Sequence, residues 1–210
     1  MPSIFLTPNS LSEGLAYLGA LDADLAQIHA RLGPPPMWAR EPGFPTLVYI
    51  ILEQQVSLAS AKAAFTKLEQ TASPLTPQAL LRFSDDEMKA IGFSRQKAGY
   101  ARGLAHAVLE GELDLEGLAG LPDDEVRAAL TSLKGIGPWT ANIYLLMVLL
   151  RPDIWPAGDL ALALAYQRLK GLTTRPTTQE LDMLAEGWRP WRAVAARLLW
   201  HHYLNPPLKP

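Results

Sequence analysis

Two short stretches carry residue types that can do chemistry at a backbone turn. In "LKGIGPWTAN", residues 133–142, Gly135 and Gly137 flank Ile136, and Pro138 and Trp139 follow. Glycines at such a turn can take positive φ and let another molecule approach the backbone. Pro138 suits the first turn of a helix, where its missing N–H costs nothing. A turn of this kind points N–H groups outward at a helix N-terminus and makes a site for a phosphate or another anion. A plain corner between two helices satisfies the same residues. The second stretch, "WPAGDL", places Asp159 after Gly158 and before the apolar run "LALALAYQRL". Taken alone, an aspartate there is a helix N-cap.

Helices must position both stretches. Apolar periodicity predicts helices at about 10–31, 46–70, 77–82, 85–90, 95–110, 123–133, 138–150, 159–169, 178–186 and 190–204, and no stretch shows persuasive strand alternation, so the fold class is all-α. Val126, Ala129, Leu130 and Leu133 follow the spacing of one buried face, as do Trp191, Val194, Ala195 and Leu198. Ser84 with Glu87 reads as a capping box, Thr76-Pro77 and Trp188-Arg189-Pro190 as helix starts, and Gly111 and Gly171 as stops. The proline-rich segment 33–45, "GPPPMWAREPGFP", is the best linker candidate, and two helical lobes are expected around it.

Composition narrows the chemistry. The 210 residues are 49% hydrophobic and 19% charged, enough to bury a core. The absence of cysteine excludes disulfides, thiolate metal sites, iron–sulfur clusters and a cysteine nucleophile. A net charge of −2 means that any nucleic-acid face must be a local patch. The most apolar run, "IYLLMVLL", is too short to cross a bilayer, and the N-terminus lacks a signal-peptide pattern. No membrane association is expected, and the compartment expected is bacterial cytoplasm, or the nucleus in a eukaryote.

"LTSLKGIGPWTANIYLLM" resembles the helix-hairpin-helix of the base-excision DNA glycosylases (the HhH-GPD superfamily), with the hairpin at 123–150. "WPAGDL" resembles the end of that superfamily's Gly/Pro-rich loop, here 151–159. Further stretches, "ILEQQVS" at 51–57, "IGFSRQKAGYARGLA" at 91–105 and "WRPWRAVAARLLWHHY" at 188–203, are most similar to the alkylated-base (3-methyladenine) branch. The resemblance implies a two-lobed helical core in which the first 40 or so residues are too few for the β-rich domain some members carry. It also implies a monomer that flips a damaged base out of double-stranded DNA and hydrolyses its N-glycosidic bond. Alkylated purines, 3-methyladenine above all, are the expected substrates. Hypoxanthine, ethenoadenine or uracil as the lesion stays open, as does a non-catalytic hairpin protein that only binds damaged DNA.

The same resemblance assigns residues. Asp159 is the catalytic carboxylate, stabilising positive charge on the sugar and orienting or deprotonating water. Trp139 and Tyr144 line the base pocket, the indole stacking on a cationic purine. In bifunctional relatives the second residue after the hairpin's last glycine is a Schiff-base lysine; here it is Trp139, so no backbone-cleaving lyase step is expected, and Lys134 lies before the glycines, near phosphate. Gln54, Gln55 and Ser57 approach the minor groove, Gln55 filling the gap left by the flipped nucleotide. Gly135, Ile136, Gly137 and Thr140 contact DNA at the hairpin. No cofactor is required, but the carbonyls of Thr131, Leu133 and Ile136 are implied to hold a weakly bound Na+ or K+. Arg95, Lys97, Arg102, Arg189, Arg192 and Arg197 are lesser candidates for phosphate contact. His201-His202 does not read as a metal site, because adjacent helical residues point apart and no third ligand has suitable spacing.

Overall fold

Short polar side chains set most helix starts. Thr7, Ser57, Ser84 and Thr177 each accept a bond from an amide in the first turn of the helix that they open, three of them as full capping boxes. The computed structural model describes residues 5–206. Among these the chain forms α1 (Pro8–Leu21), α2 (Ala23–Leu32), α3 (Phe44–Glu53), α4 (Leu58–Thr71), α5 (Pro77–Leu81), α6 (Asp85–Ile91), α7 (Arg95–Leu109), a 3-10 turn (Gly117–Gly120), α8 (Asp123–Thr131), α9 (Pro138–Met147), α10 (Leu160–Lys170), α11 (Thr178–Glu186) and α12 (Arg192–Leu204), with no strand. None of these helices is long and apolar enough to cross a membrane.

The all-α expectation holds, and three boundaries differ for identifiable reasons. The helix expected over 10–31 is two: Asp22 ends α1 through its amide bond to the Leu18 carbonyl and starts α2 by accepting from the amides of Asp24 and Leu25. An aspartate that satisfies amides outside the helical ladder breaks it. The helix expected over 46–70 is also two, interrupted at residues 54–57, where Gln55 takes a φ of 56°. The start expected at Pro190 moves to Arg192, because the amides of Arg192 and Ala193 donate to Asp153 and to the Pro152 carbonyl.

The chain divides into two compact units, one formed by the segments up to Ala39 and from Leu145 onward, the other by Arg40–Tyr144. The first boundary falls inside the proline-rich 33–45 segment and the second inside α9. The Arg40–Tyr144 unit packs α3 against α4 and α7, and α5 against α7. Its apolar α3 is buried through Leu47, Val48, Ile50, Ile51 and Leu52. The buried Glu53 ends that helix with a two-pronged bond to Arg40, at 2.8 and 2.7 Å.

In the other unit α12 is the central element, packed on α10, α2 and α1 and buried continuously from Ala193 to Trp200. Alanines at 193, 195 and 196 allow close approach, and Gly14 of α1 leaves space that a Cβ could not share with Trp191 and Val194, at 2.8 and 2.9 Å. Arg197 lies in this core at 0% exposure. It donates to the carbonyls of Met37 (2.9 Å), Ala193 (3.1 Å) and Leu146 (2.7 Å), which tie a loop, α12 and α9 together. Burial pushes its guanidinium down to about 9, so it stays charged at neutral pH. Arg197 is therefore a structural clamp and not a phosphate contact. Arg197→Met should lower unfolding free energy by about 3 kcal/mol, since three buried carbonyls lose a charged donor. Urea denaturation checks this, and a loss below about 1 kcal/mol would show that the clamp is dispensable.

Candidate functional site

The turn between α8 and α9 is wound tightly by its own backbone. The Leu133 amide donates to Leu130 and the Ile136 amide to Leu133, while the Ile136 side chain is buried and anchors the bend. Gly135 has a φ of 95°, and a Cβ there would lie 2.0 Å from Cγ of Tyr100 on α7. Gly137, for which positive φ was also expected, is not in that region and has open space around it. The two glycines thus serve different needs: Gly135 yields room to a ring inside the protein, and Gly137 leaves the outer side of the bend clear. The first intrahelical bond of α9 runs from the Ala141 amide to the Gly137 carbonyl. Pro138 brings no N–H to the N-terminal end of α9, which leaves the backbone of Gly137 and Thr140 to present amides there, and a helix N-terminus suits an anion.

Several side chains expected at a DNA surface turn inward. Thr140 is 2% exposed, and its hydroxyl accepts from Gln54 Nε2 at 3.0 Å. The same Gln54 amide donates to the Gly135 carbonyl at 2.8 Å. Gln54, Thr140 and the Ile136 side chain, all expected to contact DNA, thus have bonding or apolar surface engaged by the hairpin itself. Tyr144, expected in the base pocket, is 0% exposed, and its pKa is raised by burial, opposed by the nearby Gly43 backbone. Gln55, Ser57, Gly137 and Lys134 are exposed, and Trp139 is half-buried at the start of α9. Ser57 also caps α4 by accepting from the Ser60 amide at 3.2 Å.

Of the lesser cationic candidates, Arg102 bonds Asp85 and the Phe83 carbonyl, and Lys97 donates to the Leu52 carbonyl at 2.7 Å. Burial lowers the Lys97 pKa. Arg189 and Arg192 both engage Asp153 and Glu186. These pairs consume the charge locally. Arg95 is exposed.

In the other unit, Asp159 opens α10. Its Oδ1 accepts from the Leu162 amide at 3.0 Å and from Trp200 Nε1 at 3.2 Å. The carboxylate is half-buried, and Gly158 before it, exposed and at a φ of 78°, lets the chain turn into the helix. The loop leading there is pinned along its length. Arg151 donates its amide to the Leu145 carbonyl and lays its guanidinium on the Phe5 ring, Asp153 holds the two arginines, and Trp155 Nε1 bonds Asp182 at 3.0 Å. Trp200 is braced edge-on by Trp38, with ring centroids 6.3 Å apart and planes at 81°. Trp38 has a φ of 48° and also meets His201 edge-on. His202 Nδ1 bonds the Arg31 guanidinium at 2.9 Å, and its pKa is lowered by burial and then by Arg31 and Arg168.

Trp38, Tyr100 and Trp200 are the site residues that sequence reasoning missed. Trp200 stands in "WRPWRAVAARLLWHHY", where the matched stretch was a usable signal. Tyr100 stands likewise in "IGFSRQKAGYARGLA", whereas Trp38 in the proline-rich segment carried no signal.

Residues 48–190 match the model of the HhH-GPD superfamily of base excision DNA repair proteins. The chain is 28% identical over 198 residues to DNA-3-methyladenine glycosylase 1 of Schizosaccharomyces pombe, covering 91% of this chain and 87% of that one. It is 31% identical over 188 residues to DNA-3-methyladenine glycosylase 2 of Escherichia coli, covering 81% of this chain and 63% of the relative. Its fold superposes on the solved structure of an S. pombe 3-methyladenine DNA glycosylase in complex with abasic DNA with a TM-score of 0.88 at 26% identity, over 94% of this chain and 100% of the other.

Proposed function

Because the chain belongs to the HhH-GPD superfamily of base excision DNA repair proteins, we propose that it is a monofunctional DNA glycosylase that releases alkylated purines such as 3-methyladenine and 7-methylguanine from double-stranded DNA. The observation that carries this reading is Asp159, a half-buried carboxylate whose Oδ1 is held at a helix start by the Leu162 amide and the Trp200 indole N–H. Cleavage sends the C1′–N electron pair out with the base and leaves cationic character on the deoxyribose. A fixed carboxylate stabilises that charge and accepts a proton from the attacking water, whose oxygen bonds to C1′. The products are the free base and an abasic site. An alkylated purine already carries positive charge and departs as a neutral base, so modest stabilisation suffices. The half-buried Trp139 offers an electron-rich face to such a cation.

Trp139 stands where a lysine would attack the sugar to form a Schiff base, which supports hydrolysis without strand cleavage. The hairpin carbonyls of Thr131, Leu133 and Ile136 are the oxygens that would hold a weakly bound monovalent cation, the Leu133 carbonyl while also accepting from the Ile136 amide. Na+ or K+ there would add positive charge beside a bound phosphate. Among the described residues no cluster of three or more His, Cys, Asp or Glu could hold a metal.

Incubation of the protein with methylated duplex DNA, followed by chromatography of free bases, tests the reading. Release of 3-methyladenine is expected, with no covalent adduct trapped by borohydride. DNA binding without any released base would leave only the damage-binding alternative. A trapped adduct would overturn the monofunctional assignment.

A further inference from the structure

Gln55 is strained. A non-glycine residue at a φ of 56° costs about 1–2 kcal/mol, and such strain persists only where neighbouring structure holds it. The holding contacts lie on its N-terminal side, at Leu52 and Gln54. Lys97 Nζ donates to the Leu52 carbonyl at the C-terminal end of α3. Gln54 leaves that helix at φ −58°, ψ 122° and spends both amide hydrogens on the hairpin, one on the Gly135 carbonyl and one on Thr140 Oγ1. Thr140 is buried, so that hydroxyl has no competing solvent contact. Gly135 is confined from the other side by the Tyr100 ring. The exposed Gln55 is therefore separated by a single peptide bond from a residue fixed to the hairpin at two points.

We infer that Gln54 is a positioning residue that holds Gln55 in fixed register with the Gly135–Thr140 turn, so that the side chain probing the duplex and the amides gripping its phosphates act as one rigid element. This rests on the proposed reading of both segments as DNA-binding. Its consequence is discriminatory. Phosphate grip alone is indifferent to damage, whereas a probe at a set offset from the gripped phosphate engages only where a nucleotide has left the stack.

The test compares binding of the full chain to a duplex with a central abasic-site analogue, to the intact duplex and to single-stranded DNA. Gln55→Ala and Gln54→Met should each cut the preference for the abasic over the intact duplex by about tenfold while changing single-strand affinity less than about twofold. The Gln54→Met/Gln55→Ala double variant should lose no more than either single variant. Thr140→Val, which keeps the Gly135 bond, should lose about threefold of the preference. Without DNA, amide exchange at residues 54–57 should quicken in Gln54→Met. Multiplying losses in the double variant, equal loss on all three DNAs, or unchanged exchange would overturn the inference. If Gln54→Met does not fold, full wild-type preference in Thr140→Val overturns it. A wild-type protein with no preference for the abasic duplex sinks the DNA-binding reading itself, a result distinct from all of these.

Discussion

Asp159→Asn should cut base release by about 100-fold or more while leaving the fold and duplex affinity close to wild type. Asparagine keeps an Oδ1 that accepts from the Leu162 amide and the Trp200 indole, and it caps helices about as well as aspartate. The substitution removes the negative charge and little else. Single-turnover release of 3-methyladenine measures the chemical step, fluorescence anisotropy the binding, and thermal unfolding the integrity of α10. Asp159→Ala separates the two roles of the residue, because it should lose the charge and also about 1 kcal/mol of stability through the vacated cap. Trp200→Phe preserves most of the packing against Trp38 but removes the donor to Oδ1, and about a tenfold slowing is expected from a carboxylate that is charged but less well oriented. Release by Asp159→Asn within threefold of wild type would remove the residue from the mechanism.

The second large effect belongs to Gly135. A methyl group there would stand 2.0 Å from Tyr100 Cγ and 2.4 Å from both Cδ atoms, on a backbone whose φ of 95° is unfavourable for any L side chain. Gly135→Ala should lower stability by about 2 kcal/mol or more and weaken duplex binding by about tenfold or more, because the bend must move and take its amides with it. Adding Tyr100→Ala removes the collision but not the φ penalty, so the pair should be more stable than the two single losses predict. Gly137→Ala is the contrasting case. Nothing lies within 4 Å of its added Cβ, so stability should stay within about 0.5 kcal/mol. The exposed methyl would instead stand where a phosphate approaches, and duplex affinity should fall. Urea denaturation with binding isotherms for the four proteins checks these orders. Equal stability loss at 135 and 137 would mean that Tyr100 is not what requires the glycine.

Local features of the chain were legible without coordinates where the cause was itself local. The Ser84–Glu87 capping box, the Thr76-Pro77 start, the stops at Gly111 and Gly171 and the α8–turn–α9 hairpin each depend on residues a few positions apart, and each is present. Asp159 was legible as a helix start for the same reason. The split of 10–31 at Asp22 had a local cause that the sequence reading passed over, whereas the other errors arose where a distant partner chose between two locally acceptable conformations. The glutamines at 54 and 55 fit a solvated helical face, yet the Gly135 carbonyl and the Thr140 hydroxyl draw Gln54 out of the helix and divide 46–70 into two.

The amino-acid sequence by itself determined the helical class, the α8–turn–α9 hairpin and the carboxylate at a helix start, since period, capping and turn chemistry are written within a few residues. Only the tertiary structure decided which polar groups remain available. Arg197, Arg192, Gln54 and Thr140 have the chemistry to bind DNA as written, and are instead occupied by carbonyls, carboxylates or amides from remote segments. A buried polar group left unpaired costs free energy, so folding assigns these side chains to internal partners first. What remains at the surface for a ligand is set by that competition, which no local window of residues contains.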